Sequence, residues 1–171
     1  MDARPTSNFS IRDAAAADLD AIVDFNGRLA HETEDKVLDP AILRDGVARA
    51  LADPDRLRYW IAADRDGRVI GQTAITREWS DWRNGWLWWL QSVYIDAEHR
   101  GQGVFKALYR RIRDEALAAG DVIGIRLYVE DENHRARDAY RALGLDEAGY
   151  TVLEELWMER SQPDGRRHNG S

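Results

Sequence analysis

The chain contains no cysteine. Disulfides, thiolate metal sites and a cysteine nucleophile are therefore excluded, and no metal is expected. The absence fits a reducing compartment, so a cytoplasmic protein is expected. Long apolar runs are missing too: no stretch approaches the roughly 18 residues of a membrane-spanning helix. The opening residues, "MDARPTSNFS", lack the apolar centre of an export signal. Positive charge is in deficit, with 24 Lys and Arg against 31 Asp and Glu. The net charge of -7 argues against a nucleic-acid surface and suits cationic partners. No nucleic-acid or membrane partner is expected.

What is present points to one packed domain. The length of 171 residues and the 44% hydrophobic content suit a single core. Tryptophan is concentrated: five of seven lie between Trp79 and Trp89. Such a cluster of bulky amphipathic rings marks either a large core or an aromatic-walled pocket.

"NFSIRDA" reads as a first strand. Leu19, Ile22, Val23, Asn26 and Leu29 recur at helical spacing and predict a helix over 16–31. "ETEDKVLDP" is polar, contains Pro40 and reads as a loop. Ile42, Leu43, Val47, Ala50 and Leu51 mark a second helix, stopped by "ADPD". "LRYWIAAD" and "RVIGQTAITREW" read as strands joined by an Asp-Gly turn. "WLWWLQSVYI" is apolar on both faces and predicts a mid-sheet strand. Its alternation groups Trp86, Trp88, Leu90 and Tyr94 against Leu87, Trp89, Val93 and Ile95. Val104, Leu108, Ile112 and Ala116 form the stripe of a long helix, with Gly120 just past its end. "VIGIRLYVE" is a further strand, "NHRARDAYRALGL" a short helix and "YTVLEELWME" a last strand.

The order β-α-α-β-β-β-α-β-α-β predicts an α/β fold: a mixed sheet of six to seven strands with helices on both faces. The domain is expected to span 1–160. The tail, 161–171, has no hydrophobes and is expected to be disordered.

The stretch "SVYIDAEHRGQGVFKALYRRI" places Gly-x-Gly between a strand and a helix. Glycine lets a ligand approach the backbone closely. A helix beginning there presents unpaired N–H groups and partial positive charge, which together suit a pyrophosphate. Arg100 and Lys106 add charge. A tight turn without a ligand is the competing reading. The dinucleotide fingerprint fails, because position 106 is lysine, and Gly-Lys-Ser/Thr is absent.

The segment "VYIDAEHRGQGVFKAL" resembles the cofactor loop of the GCN5-related N-acetyltransferases. Arg100 and Gly103 match the Arg/Gln-x-x-Gly-x-Gly/Ala pattern, and Phe105 departs from its small last residue. Downstream, Asn133, Ala136, Tyr140 and Gly144 match the family's Asn-x-x-Ala-x-x-x-Tyr-x-x-x-Gly-Phe segment, with Leu145 at the final position. Two motifs in order on the right elements identify the chain as similar to this family.

The resemblance implies acetyl-CoA as acyl donor, held where two parallel strands splay. It implies contacts from Val93, Tyr94 and Ile95 to the pantetheine. The diphosphate would lie on Arg100, Gly101, Gln102, Gly103, Val104, Phe105 and Lys106. Asn133 would touch the pantetheine, or serve as a plain helix cap. Tyr140 would be the acid for the departing thiolate, or a packed helix aromatic. The base position common in the family is Gln91 here, so Glu78 is the candidate base, with a solvated strand-end charge as the alternative. Glu32, Glu34, Trp79 and Asp81 are candidate acceptor contacts if "HETED" and "REWSDW" face one cleft. Acids beside indoles suit a small cationic amine. The implied function is acetyl transfer to such an amine. A protein lysine or N-terminal acetyltransferase and a non-catalytic acyl-CoA sensor are alternatives. A homodimer is compatible with the apolar last strand.

Overall fold

The structure is a computed structural model that describes residues 8–130 and 132–157. The tail at 161–171 lies outside the described residues. Five strands form one sheet in the order β1-β2-β3-β4-β5. They are β1 (Phe9–Asp13), β2 (Arg58–Asp64), β3 (Val69–Ser80), β4 (Gly85–Ile95) and β5 (Val122–Leu127). The first four run antiparallel to their neighbours, and β5 runs parallel to β4. The helices are α1 (Leu19–Glu34), α2 (Pro40–Ala52), α3 (Val104–Ala119) and α4 (His134–Arg141).

Local chemistry explains the helix ends. Asp39 caps α2 by accepting from the amides of Ala41 and Ile42 at 2.9 and 3.0 Å, and Pro40 occupies the first turn, where its missing N–H costs nothing. The helix predicted over 16–31 runs on to Glu34, so the start of "ETEDKVLDP" is helical. It ends at Asp35, whose left-handed backbone (φ 50°) stops it.

Alternation along the strands divides the core between two faces. On one face, Trp60, Ala62, Ile70, Ile75, Trp88 and Leu90 meet Val104, Leu108 and Ile112 of α3. On the other, Tyr59 and Ala74 meet Ile22 of α1 and Val47 of α2. The expected helices on both faces are present. Apolar burial on both sides is why the middle of β2 and the first half of β3, 70–75, are inaccessible, while Arg77, Glu78 and Trp79 at the end of β3 are exposed.

Two expectations are corrected. Among the described residues the sheet has five strands, not six or seven. "YTVLEELWME" predicts a last strand, but its described part, 150–157, forms none, and Leu153 is 91% exposed. Strand propensity is realised only against a partner edge, and no described strand pairs with it. The parity of β4 is also broken. Gln72 faces Tyr94 while Ala74 faces Gln91, so β4 holds one extra residue at that point, a β-bulge. Ser92 takes the strain, with φ 50°. Tyr94 consequently leaves the face of Trp88 and Leu90 and packs on Phe25 of α1, ring centroids 5.0 Å apart.

Candidate active site

The parallel pairing of β4 with β5 stops at Leu90 and Leu127, yet β4 continues to Ile95. The last stretch of β4, through Val93 and Ile95, therefore borders a wedge rather than a neighbouring strand. Backbone groups along such an open edge can pair with an extended ligand.

Beyond the wedge the chain turns through a 3-10 segment, Ala97–His99, into α3. Gly101 and Gly103 adopt φ values of 78° and 81°, conformations that side chains disfavour. A Cβ on either would meet no atom within 4 Å. The space over this loop is open, and Gly101, Gln102 and Gly103 are exposed. Gly103 is the N-cap of α3 and its side supplies no capping oxygen. The first amides of α3 thus remain available to an anion. Lys106 is exposed on the first turn, and Val104 is buried beneath it. These residues fit the diphosphate of a coenzyme.

Arg100 is not free over this loop. Its Nε donates to the Ile95 carbonyl (3.0 Å), and a terminal nitrogen donates to Glu32 Oε2 (2.6 Å). The Tyr94 hydroxyl donates to Glu32 Oε1 (2.7 Å). Partial burial pushes the Glu32 carboxyl up, but Tyr94 and Arg100 outweigh it and hold it below the ordinary range. The Tyr94 phenol is raised, by burial first and by Glu32 second. Glu32, a candidate acceptor contact, braces Arg100 and Tyr94 beside the Gly101–Gly103 loop. Glu34 pairs with Lys36 instead.

The bulge has its own support beneath it. Gln72 Nε2 donates to Asn26 Oδ1 (2.7 Å) and to the Ser92 carbonyl (3.3 Å), and Asn26 Nδ2 donates to the Tyr59 hydroxyl (3.2 Å). Thr73 Oγ1 donates to the Gln91 carbonyl (3.4 Å). Side chains of β3 hold two carbonyls where the ladder slips. Both Gln72 and Thr73 are fully buried; these bonds satisfy the Gln72 amide nitrogen, while among the described residues its Oε1 has no hydrogen-bond partner.

On the far side of the wedge, Asn133 Oδ1 accepts from the Ala136 amide (3.1 Å) and caps α4. The cap is therefore real. Tyr140 lies against Phe105, rings 5.6 Å apart and nearly perpendicular. Burial raises its phenol above the ordinary value. The bulky Phe105, which departs from the family pattern, thus makes a contact between α3 and α4.

The expected meeting of "HETED" with "REWSDW" does not occur. Glu32 meets Tyr94 near the end of β4, whereas Asp81 lies in the turn before β4 and accepts from the Trp82 amide (2.9 Å). Trp79 packs edge-on against Trp86 (5.1 Å), and Trp86 belongs to the α3 side. Glu78 is on the opposite face. It accepts from Trp89 Nε1 (2.5 Å), and Arg126 lies 3.6 Å from its other oxygen. The ring of Tyr128 stacks on Trp89 at 4.5 Å. Glu78, Trp89, Arg126 and Tyr140 line one open groove along β5.

The acetyltransferase (GNAT) family matches residues 22–145, most of the chain. This chain belongs to the GNAT family. A possible acetyltransferase from Clostridium difficile 630 is 40% identical, over 88% of this chain and 98% of its own, with a TM-score of 0.81. The thialysine N-epsilon-acetyltransferase of Bos taurus is 34% identical over 76 residues, which is 44% of either chain. The match therefore spans less than half of that relative. A predicted acetyltransferase from Clostridium acetobutylicum, with acetyl-CoA, shares the fold at 21% identity and a TM-score of 0.70, covering 85% of this chain and 96% of that one.

Both GNAT motifs are legible in the sequence; the bracing beneath them is not. Gln72, Thr73 and Asn26 carry no local motif. The available signal was polar residues within apolar runs, which require partners when buried. Arg126, a charge inside "VIGIRLYVE", gave the same signal on the groove.

Proposed function

We propose that this GNAT-family protein transfers the acetyl group of acetyl-CoA directly to the primary amine of a small cationic molecule. The observation that carries this reading is the wedge between β4 and β5, opening beside the uncapped N-terminus of α3. Bound acetyl-CoA supplies the acyl group and a thiolate leaving group. Val93 and Ile95 align the pantetheine along the open edge of β4. The amides of Gln102, Gly103 and Val104, with Lys106, hold the diphosphate, and Arg100 reinforces them from its Glu32 brace. Asn133 fixes the start of α4 beside the pantetheine.

The amine nitrogen attacks the thioester carbon while a β4 amide near Val93 stabilises the developing oxyanion. Tyr140 then gives its proton to the sulfur. Burial keeps this phenol protonated throughout the neutral range, as an acid requires. Glu78 receives the amine's proton through water, because its partner on β4, Leu87, lies three residues before Leu90, where the pairing with β5 ends. The bovine thialysine enzyme supports a small amine acceptor. The exposed side chains of Val152, Leu153, Leu156 and Trp157 support pairing of two copies.

The test titrates acetyl-CoA calorimetrically and follows thiol release with a panel of amines. Tyr140→Phe is expected to keep acetyl-CoA affinity and lose about a hundredfold or more in kcat. Unchanged kcat removes the acid assignment. Acetyl-CoA binding without turnover of any amine favours a sensor, and turnover of peptides alone favours a protein acetyltransferase.

A further inference from the structure

We infer that Arg126 is the anchor for a carboxylate on the acceptor, so that the substrate is an amino acid with a distal amine. The inference rests on the acetyltransferase reading above and names its substrate class.

Arg126 lies mid-strand on β5, opposite Trp89 on β4, on the sheet face away from α3. Its guanidinium stands 5.7 Å from the Trp89 ring and 5.7 Å from the Tyr150 ring. The two rings confine it. Among the described residues, no acceptor takes a hydrogen bond from it, and its one ion pair, to Glu78, is long at 3.6 Å. Its side chain is only 23% exposed. A guanidinium carries five N–H donors in a rigid fork. With one long ion pair as its charged contact, that partly buried fork keeps donors that a second, closer anion can complete.

The neighbours select the anion. Glu78 repels a second negative charge, so a dianionic phosphate is disfavoured and a singly charged carboxylate fits. Trp89 and Tyr128 offer flat walls to the aliphatic part of a ligand, and cations are attracted to such faces. Geometry then places the reacting amine. From Trp89 to the bulge at Ser92 and Val93 is three to four strand positions, about 10–13 Å at 3.3 Å per residue. A carboxylate on Arg126 therefore puts the far end of a lysine-length side chain at the wedge, and an amine at the α-carbon falls short of it.

The experiment compares kcat/KM for lysine and ornithine with their decarboxylated diamines of equal chain length, and with an amino-sugar phosphate. Lysine or ornithine is expected to exceed its diamine at least tenfold. Arg126→Met is expected to bring that ratio close to one by raising KM for the amino acid, with acetyl-CoA affinity and melting temperature retained. Arg126→Lys keeps the charge without the fork and is expected to recover part of the ratio. Equal use of acid and diamine by the unmodified protein overturns the inference, as does a ratio that survives Arg126→Met. Preference for the phosphate overturns it too. Binding is read separately, by calorimetric titration of lysine into protein saturated with coenzyme A. Lysine binding that requires Arg126, without turnover, sustains the anchor and removes the transferase reading. Absence of lysine binding overturns the anchor alone.

Discussion

The two sides of β4 have opposite characters. Toward β3, the ladder runs from Ser80 and Gly85 to Gly71 and Ile95, and both strands are largely buried. Toward β5, pairing covers only Trp86 to Leu90, and no residue of β5 is fully buried. The first side stores stability in apolar contact. The second leaves backbone, guanidinium and carboxylate groups for something other than the protein to satisfy. Binding surfaces need such unsatisfied groups, and a rigid scaffold beside them keeps their positions fixed.

The largest test of this contrast is truncation on each side. Trp60 is fully inaccessible, packs 6.3 Å from Trp88 and donates to Glu115 at 3.2 Å. Trp60→Ala is expected to cost about 3–5 kcal/mol in denaturant unfolding. Ile123→Ala, on half-exposed β5, is expected to cost less than about 1 kcal/mol. Similar losses at both positions break the contrast.

An intermediate effect is expected at Gly85, where the two sides meet. A Cβ there would stand 2.9 Å from the Asp121 carbonyl oxygen and 2.5 Å from an Ile123 methyl. The Trp86 amide donates to that same carbonyl at 2.8 Å, so the backbone cannot withdraw freely. Gly85→Ala is expected to cost about 1–3 kcal/mol and to push β5 outward, raising KM for acetyl-CoA. Unchanged stability with unchanged KM means β5 yields without consequence.

The smallest effect is acid sensitivity, and it belongs to the closed side and its margin. Asp18, Glu32 and Asp96 are each pushed up by burial but held below the ordinary carboxylate range by stronger partners. For Asp18 these are Arg12 and the Ala15 amide; for Asp96, chiefly the Glu98 amide and His99. A folded-state value below the unfolded one stabilises the fold above the unfolded value, and that stabilisation disappears as pH falls. The melting temperature is expected to drop by a few degrees as pH falls below about 4. Asp18→Asn is expected to flatten that limb, and an unaltered limb removes Asp18 from the account.

The sequence revealed what is local. The Gly101–Gly103 pair, the Asn133 cap and the stripe of α3 each announce themselves within a few residues, because turn chemistry and helical spacing act at short range. What escaped depends on partners far along the chain. Nothing near Ser92 signals a bulge; the carbonyls it displaces are held by Gln72 and Thr73, some twenty residues earlier. The segment 150–157 alternates like a strand yet pairs with nothing described. Glu32 stands in a polar stretch at the end of α1, and nothing beside it signals its bond to a residue 68 positions away.

The extra residue in β4 has a consequence for how this strand can change over time. Removing Ser92 would restore a regular pleat and turn every following side chain over. Tyr94 would swing into the compartment under α3, Phe25 and Glu32 would lose their neighbour, and the arginine ahead of the glycines would come untethered. Length in this strand is therefore a coupled variable. Substitutions can accumulate there one at a time, but an insertion or deletion rewrites both sides of the sheet at once.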